Sequence, residues 1–522
     1  MEGRKARRSK RGGTTNRDYT LLTPGYTRVR NTYSGPLPPC RGLSLVTYAP
    51  RTELEIGTRL APPGHPGDAA RHKTSLARHQ YDTNKRTNGR SPHTRRLGMK
   101  VIVIGGGVIG TCTAYYLAAA GHTVTLVERN STVAQESSFG NAGVIAPGYV
   151  TPWAAPGMPR KLLGYLFSSA SPLIFRPGLS AGTWRWASRW LRECKLERYR
   201  ANRERMQRLA FYSQRCLHEL RDVHVFEYEH TQGYLQLFRT EREIKMNEPA
   251  RAMLTENEVP HRLLTADECR KLEPAISTDA ELAGGLHLPR DETGNCPLFT
   301  KRLAQIARDM GVTLATETSV LSVRPNLGRA GVTVETSSHA EGGQRATLDA
   351  DAVVIAAGVA STELLRPLGI DLPLWPIKGY SITVPVKNEL FSPRIAVMDE
   401  SYKTAITPQG NRLRIAGTAE LGDTELVLRE RAIATLYKVA TDWFPGAGKY
   451  REARAWVGAR PMLPDGPPLL GATHLPGIFL NVGHGSTGWA MACGSGRVLA
   501  DVISGQTPEI DLNGLTLARY DR

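Results

Sequence analysis

Residues 99–128 read MKVIVIGGGVIGTCTAYYLAAAGHTVTLVE. An apolar strand, a glycine turn, a helix, a second strand and a closing acid follow one another, which is the outline of a dinucleotide-binding βαβ unit. Val101, Ile102, Val103 and Ile104 form the first strand, and Gly105, Gly106 and Gly107 form the turn. Gly105, Gly107 and Gly110 stand in G-x-G-x-x-G register, where a tight bend, close backbone approach to a pyrophosphate and close helix-to-strand packing each favour the absence of a Cβ. The helix opening at Val108 and Ile109 aims unpaired N–H groups at the phosphates. Glu128 closes the second strand, where a carboxylate accepts hydrogen bonds from an adenosine ribose. An acid there favours a free 2′-hydroxyl over a 2′-phosphate, so FAD or NAD fits better than NADP. No Gly-Lys-Ser/Thr follows the glycines, which excludes a nucleoside-triphosphatase loop.

Outward from this unit, the chain divides sharply by composition. Residues 1–98 hold 20 Lys or Arg against 6 Asp or Glu, so most of the formal charge of +18 sits in this segment. It has no sustained 3.6 or 2 periodicity and little apolar content, and is expected to be disordered or untranslated, with Met99 as the functional start. It lacks the apolar core of a secretory signal and the amphipathic helix of a transit peptide. A nucleic-acid arm would interleave aromatics or present a basic stripe, so no nucleic-acid partner is expected. The seven cysteines contain no C-x-x-C pair and no zinc spacing, which points to reduced thiols, a cytoplasmic setting and no metal.

The rest of the chain reads as an α/β protein: a Rossmann-like FAD-binding domain (99–150, 290–371 and 455–522) with an inserted antiparallel-sheet substrate domain (151–289 and 372–454). The stretch SSFGNAG, with Ser137, Asn141 and Gly143, is too irregular for a helix and too apolar for a linker, and suits a backbone lying against a cofactor. Val323, ending the stretch from Val312 that leads into a short β-meander, and Gly358, after the apolar strand DADAVVI, are further contacts of this kind. Gly483, Gly485 and Gly488 in GHGSTGW form a second glycine loop at a helix N-terminus. Two such loops at opposite ends of the chain favour FAD, a long molecule gripped from several segments, over NAD. Trp184, Trp186 and Trp190 lie in a helical stretch flanked by Arg and Lys, read as helix faces packed on a core, with membrane docking as the alternative.

The stretches NAGVIAPGYVTPWAAPG, GYLQLFRTE, LPRDETGNCPLFT, PIKGYSITVPV, MDESYKTAIT, ARPMLPDGPP and GHGSTGWAMACGSG together resemble the small, FAD-containing subunit of bacterial D-amino acid dehydrogenases, within the D-amino acid oxidase and glycine oxidase superfamily. The resemblance spans Met99 to about Tyr520. It implies FAD as cofactor and oxidative deamination of D-amino acids, D-alanine foremost, to 2-oxo acids and ammonia. It also implies electron transfer to a quinone-linked respiratory acceptor and a peripheral contact with the inner face of the cell membrane.

That chemistry asks for orientation of a Cα–H bond, a desolvated pocket and an anchor for the substrate carboxylate. Arg460 is the candidate anchor, because its planar fork binds a carboxylate at two points. Tyr380, Tyr402 and His484 are candidates for the substrate pocket, and Lys378 for charge neutralisation at the flavin. An oxygen-using oxidase of glycine, sarcosine or another secondary amine remains the alternative within flavoenzymes.

Overall fold

The computed structural model describes residues 98–166, 172–176, 180–326, 328–340, 342–422 and 424–520. The basic extension, residues 1–97, lies outside the described residues.

Apolar runs without alternation become a sheet buried on both faces. Its six strands lie in the order Leu469–Ala472, Ile478–Val482, Ala352–Ile355, Lys100–Ile104, Thr123–Val127 and Thr313–Ala315, all parallel except the first. Val101 and Val103 point into a core formed with the helices Val108–Ala119, Leu196–His224, Cys296–Asp309 and Gly488–Ile503. Ile102 and Ile104 point the other way, into a core shared with Val323, Val332 and Val334 of a three-stranded antiparallel meander.

The second sheet is larger and mostly antiparallel. It runs from Arg454–Met462 through Trp375–Pro385, Arg412–Leu421, Thr404–Gln409, Ala396–Asp399, Thr231–Phe238 and Gly284–Thr293 to Val144–Ile145. Alternation sorts its faces. Leu235, Ile382, Val397, Ile406 and Ile415 pack under the helix Glu430–Trp443, whereas Gln236, Met398, Ala405 and Ala416 face a cavity.

The expected domain boundaries differ from the strand pairing and packing in four places. Val144–Ile145, expected in the FAD-binding domain, pairs with Gly284–Thr293 of the large sheet. Arg454–Met462 belongs to the large sheet, because it pairs with Trp375–Pro385 without a break from Trp375 opposite Met462 to Thr383 opposite Arg454. The helix Leu196–His224, expected in the inserted domain, buries Met206, Leu209, Leu217 and Leu220 in the same core as Val101. Gly284–Thr293 stays in the large sheet past residue 289. Of the three tryptophans, Trp186 and Trp190 are buried with Ile377 and Met462, while Trp184 is 51% exposed.

Candidate active site

One continuous cavity of about 1970 Å³ is lined by residues of both sheets, from the glycine turn to Arg460. The cradle end is built by backbone. Gly105 has φ +108°, and a Cβ there would fall 2.5 Å from the Ala356 carbonyl oxygen; one at Gly110 would fall 1.9 Å from the Gly105 oxygen. The strand and helix can therefore approach only as glycine. The first turn of Val108–Ala119 carries no acidic residue and Gly107 provides no side-chain cap, so its positive end faces the cavity. Val108 donates its N–H to the Ser138 hydroxyl (3.0 Å). The Glu128 carboxylate accepts from the Gly106 N–H (2.7 Å) and from the backbone and side chain of Asn130 (2.8 and 2.7 Å), which fixes it at the wall.

Most residues assigned to the cofactor reach this cavity: Ile104, Gly105, Gly107, Val108, Ile109, Glu128, Ser137, Asn141, Gly358, Gly485 and Gly488. Others do not line it. Val101, Ile102 and Val103 are core side chains, because every residue of a strand buried on both faces is covered. Gly106 sits against Glu128, and Gly110 against Gly105, so these two hold the turn's shape. Gly143 (φ +89°) packs against the Gly294 carbonyl, and Gly483 (φ +83°) against Leu463. Val323 is buried in the core, and the same strand presents Thr318, Ser319 and Val320 to the cavity instead.

Arg460 lies at the wall formed by the large sheet. Its guanidinium donates to the carbonyls of Lys378 (3.3 Å) and Gly417 (3.4 Å), and its Cζ stands 5.9 Å from the Trp153 ring centroid. No carboxylate pairs with it among the described residues. Burial lowers its pKa to about 10, so it remains charged at neutral pH. A buried cation without an anionic partner is costly unless a ligand supplies the anion.

The other candidates divide. Tyr380 contributes to the cavity wall, but its hydroxyl donates to Glu420 (2.5 Å); burial, then this carboxylate, raise its pKa. Glu420 pairs with Lys378 (2.7 Å), and both side chains are fully buried. Lys378 is thus part of an interior ion pair, not a group at the cavity wall. Tyr402 is on the opposite side of the sheet, with Arg239 5.1 Å and Lys438 5.6 Å from its ring centroid. The cause is the tight turn before Thr404, where Lys403 takes φ +48° and the cavity receives Glu400, Ser401 and Lys403 instead. His484 lines the cavity and its Nε2 lies 2.9 Å from the Ser495 hydroxyl. Since that hydroxyl donates its single proton to the Met491 carbonyl (2.7 Å), Nε2 carries the proton and Nδ1 is bare. Burial lowers the His484 pKa to about 3, so the ring is neutral.

Sequence reading missed Trp153, Tyr149, Gln236, Met398 and Lys403 at the wall. Tyr149 and Trp153 lie in the irregular GYVTPWAAPG segment, whose composition marks it as cavity-lining; Gln236, Met398 and Lys403 carry no local signal, because the pairing of the large sheet brings them to the cavity.

A dinucleotide cradle opening onto an antiparallel sheet with an uncompensated arginine defines a two-sheet flavin-dependent oxidoreductase. The chain belongs to the FAD dependent oxidoreductase family, whose model matches residues 100–502; a model described as pyridine nucleotide-disulphide oxidoreductase matches 56–142. Its cofactor is FAD, and the glycine cradle, the helix N-terminus and Glu128 fit that molecule's pyrophosphate and ribose. The chain is 46% identical over 425 residues to a D-amino acid dehydrogenase of Rhodopseudomonas palustris, covering 81% of this chain and 98% of that protein. It is 45% identical to a D-amino acid dehydrogenase of Bradyrhizobium diazoefficiens, covering 81% and 99%. The fold is similar to glycine oxidase from Geobacillus kaustophilus, with a TM-score of 0.62 at 24% identity, over 81% of this chain and 99% of that one.

Proposed function

We propose that this enzyme oxidises D-amino acids, D-alanine among them, to 2-oxo acids and ammonia and passes the electrons to a quinone-linked acceptor at a membrane. The observation that carries the substrate class is Arg460, a buried guanidinium at the cavity wall without a carboxylate partner among the described residues. Similarity to two D-amino acid dehydrogenases supports the stereochemistry.

Bound FAD supplies the acceptor for the hydride that leaves the substrate Cα. Arg460 binds the substrate carboxylate and sets the orientation of the Cα–H bond. Its contacts to the Lys378 and Gly417 carbonyls hold the fork flat and leave further N–H donors for the ligand. His484, whose pKa burial lowers to about 3, is too weak a base to take a proton from the ammonium group, and the Tyr380 hydroxyl is committed to Glu420. The reacting form is therefore the neutral amine, and water hydrolyses the resulting imine after release of the electron pair.

The membrane reading rests on the surface beside the cavity. Trp184, Leu426 and Leu428 are exposed there, and Arg185 and Arg189 lie on the cavity lining. The Thr183 hydroxyl donates to the Gly422 carbonyl (3.3 Å), which holds the tryptophan helix next to the segment carrying Leu426. Exposed apolar side chains among basic ones suit an anionic lipid surface. No described helix is long and apolar enough to cross a membrane.

Anaerobic addition of D-alanine to the holoenzyme should bleach the flavin, and L-alanine should leave it oxidised. Flavin that dithionite reduces but no D-amino acid does would defeat the reading. Stoichiometric peroxide with glycine or sarcosine in air would instead identify the oxidase alternative.

A further inference from the structure

The strand Arg412–Leu421 is irregular beside Arg460. Tyr380 of the neighbouring strand stands opposite Gly417 and Gly379 opposite Ala419, so Thr418 is an extra residue without a register partner, a β-bulge. Its backbone is left-handed, with φ +35°. Among the described residues it is the one non-glycine residue inside a strand with a positive φ, and a β-branched side chain is poorly suited to that conformation. Glycine stands one place earlier, where packing demands it: a Cβ at Gly417 would fall 2.5 Å from the Thr404 hydroxyl oxygen.

The side chain at the bulge is buried and unsatisfied. Thr418 is 2% exposed and lines the same cavity as Arg460, and its hydroxyl has no hydrogen-bond partner among the described residues. The arginine ends at the same place. Its guanidinium lies over Gly379 and donates to the Gly417 carbonyl (3.4 Å), part of the peptide group that joins Gly417 to Thr418.

We infer that the Thr418 hydroxyl donates to the substrate carboxylate beside Arg460, so that the bulge and the arginine form one carboxylate site. The inference rests on the proposed anchor at Arg460. A carboxylate accepts about four hydrogen bonds, more than one edge of a guanidinium supplies. Arg460 already gives an N–H from each Nη to a backbone carbonyl, and the hydroxyl adds a donor whose direction the bulge fixes. The proton goes to the carboxylate and not to nitrogen, because the neutral amine needs its lone pair for the imine that forms as hydride leaves. Strained backbone of this kind persists where the surroundings hold it, and it gathers at ligand sites.

Thr418→Val and Thr418→Ala remove the hydroxyl, the first at equal bulk and the second with less crowding should the valine variant not fold. In the FAD-loaded full chain, both should raise KM for D-alanine by roughly tenfold or more. The dissociation constant of propionate, the amine-free analogue of alanine, read from its perturbation of the flavin spectrum, should rise by a similar factor. Thr418→Ser, which restores the donor, should recover most of both. Thr418→Gly relaxes the backbone, so its thermal midpoint should match or exceed wild type while KM stays as high as in Thr418→Ala, a split that a purely structural role would not give. Values within twofold of wild type for D-alanine and propionate in loaded Thr418→Ala overturn the inference. A rise in KM that propionate does not share overturns it too, by placing the hydroxyl on the amine. A wild-type enzyme that no D-amino acid reduces overturns the anchor reading beneath it, so the two failures are distinct.

Discussion

The guanidinium of Arg460 lies flat on the backbone of Gly379: a methyl group at position 379 would fall 2.4 Å from Cζ and 2.5 Å from one Nη. The two residues belong to neighbouring strands, with Gly379 opposite Gly458 and Ile377 opposite Arg460. The glycine leaves the space through which the arginine crosses its neighbour toward Gly417. Gly379→Ala should therefore displace the fork without removing its charge, raising KM for D-alanine at least tenfold with FAD content unchanged. A KM within twofold of wild type would show that the arginine's path does not matter.

Arg460→Ala removes the charge itself. Loss of a two-point charge-assisted contact should cost about 2–4 kcal/mol of transition-state binding, or roughly 30- to 1,000-fold in kcat/KM. Arg460→Lys should recover only part, because an ammonium does not reproduce the planar fork. Steady-state kinetics on loaded variants checks this, and near-unchanged kcat/KM in Arg460→Ala would place the anchor elsewhere.

Gly107→Val tests the cradle. Even a Cβ at Gly107 would lie 3.3 Å from the Ser138 hydroxyl that receives the Val108 N–H, and the larger branch of valine projects into the cavity. The variant should purify as folded protein with little flavin. A full complement of FAD in that preparation would remove the glycine turn from the site.

The pH dependence of turnover should follow the substrate and not His484. That imidazole, lowered by burial to about 3, is neutral on both sides of neutrality and has no proton to lose in the working range. The rate at sub-saturating D-alanine should climb with pH as the neutral amine becomes available, and His484→Gln should leave the position of that climb unchanged. A shifted profile in the variant would make His484 a proton carrier.

Away from the site, Glu292 is a buried carboxylate held by His218 (2.8 Å), Arg221 (2.8 Å) and His230. Burial alone would raise its pKa, but the two histidine hydrogen bonds and the arginine charge outweigh that and lower it to about 2. A carboxylate depressed on folding stabilises above its unfolded pKa, and that contribution is lost as pH falls through the folded value. Adjacent Asp291 acts in the opposite sense, since burial raises its pKa and the cost of its charge vanishes in acid. Glu292→Gln should therefore lower the unfolding free energy most at neutral pH, with the difference from wild type shrinking between about pH 4.5 and 2. Denaturant titrations at several pH values measure it; a difference independent of pH would contradict the assignment.

The sequence by itself determined the dinucleotide-binding unit, because that unit is local: strand, turn, helix and acid occupy thirty consecutive residues, and each glycine's role follows from backbone sterics that need no distant partner. It determined the strands at 123–127 and 478–482 for the same reason, as short, largely apolar runs each followed closely by a local marker, Glu128 in one case and the GHGSTGW loop in the other. Only the tertiary structure decided what faces the substrate. Tyr380 and Tyr402 look equivalent in sequence, yet one hydroxyl is committed to Glu420 and the other ring lies across the sheet between Arg239 and Lys438. Ala405, Met398 and Gln236 look unremarked in sequence, yet strand pairing, which joins Met398 to Gln236 across 162 residues of chain, sets them side by side along the cavity. A strand's side chains alternate between two faces, and which face is the inside is settled by register and by the sheet packed against it, information that no single stretch of the chain contains.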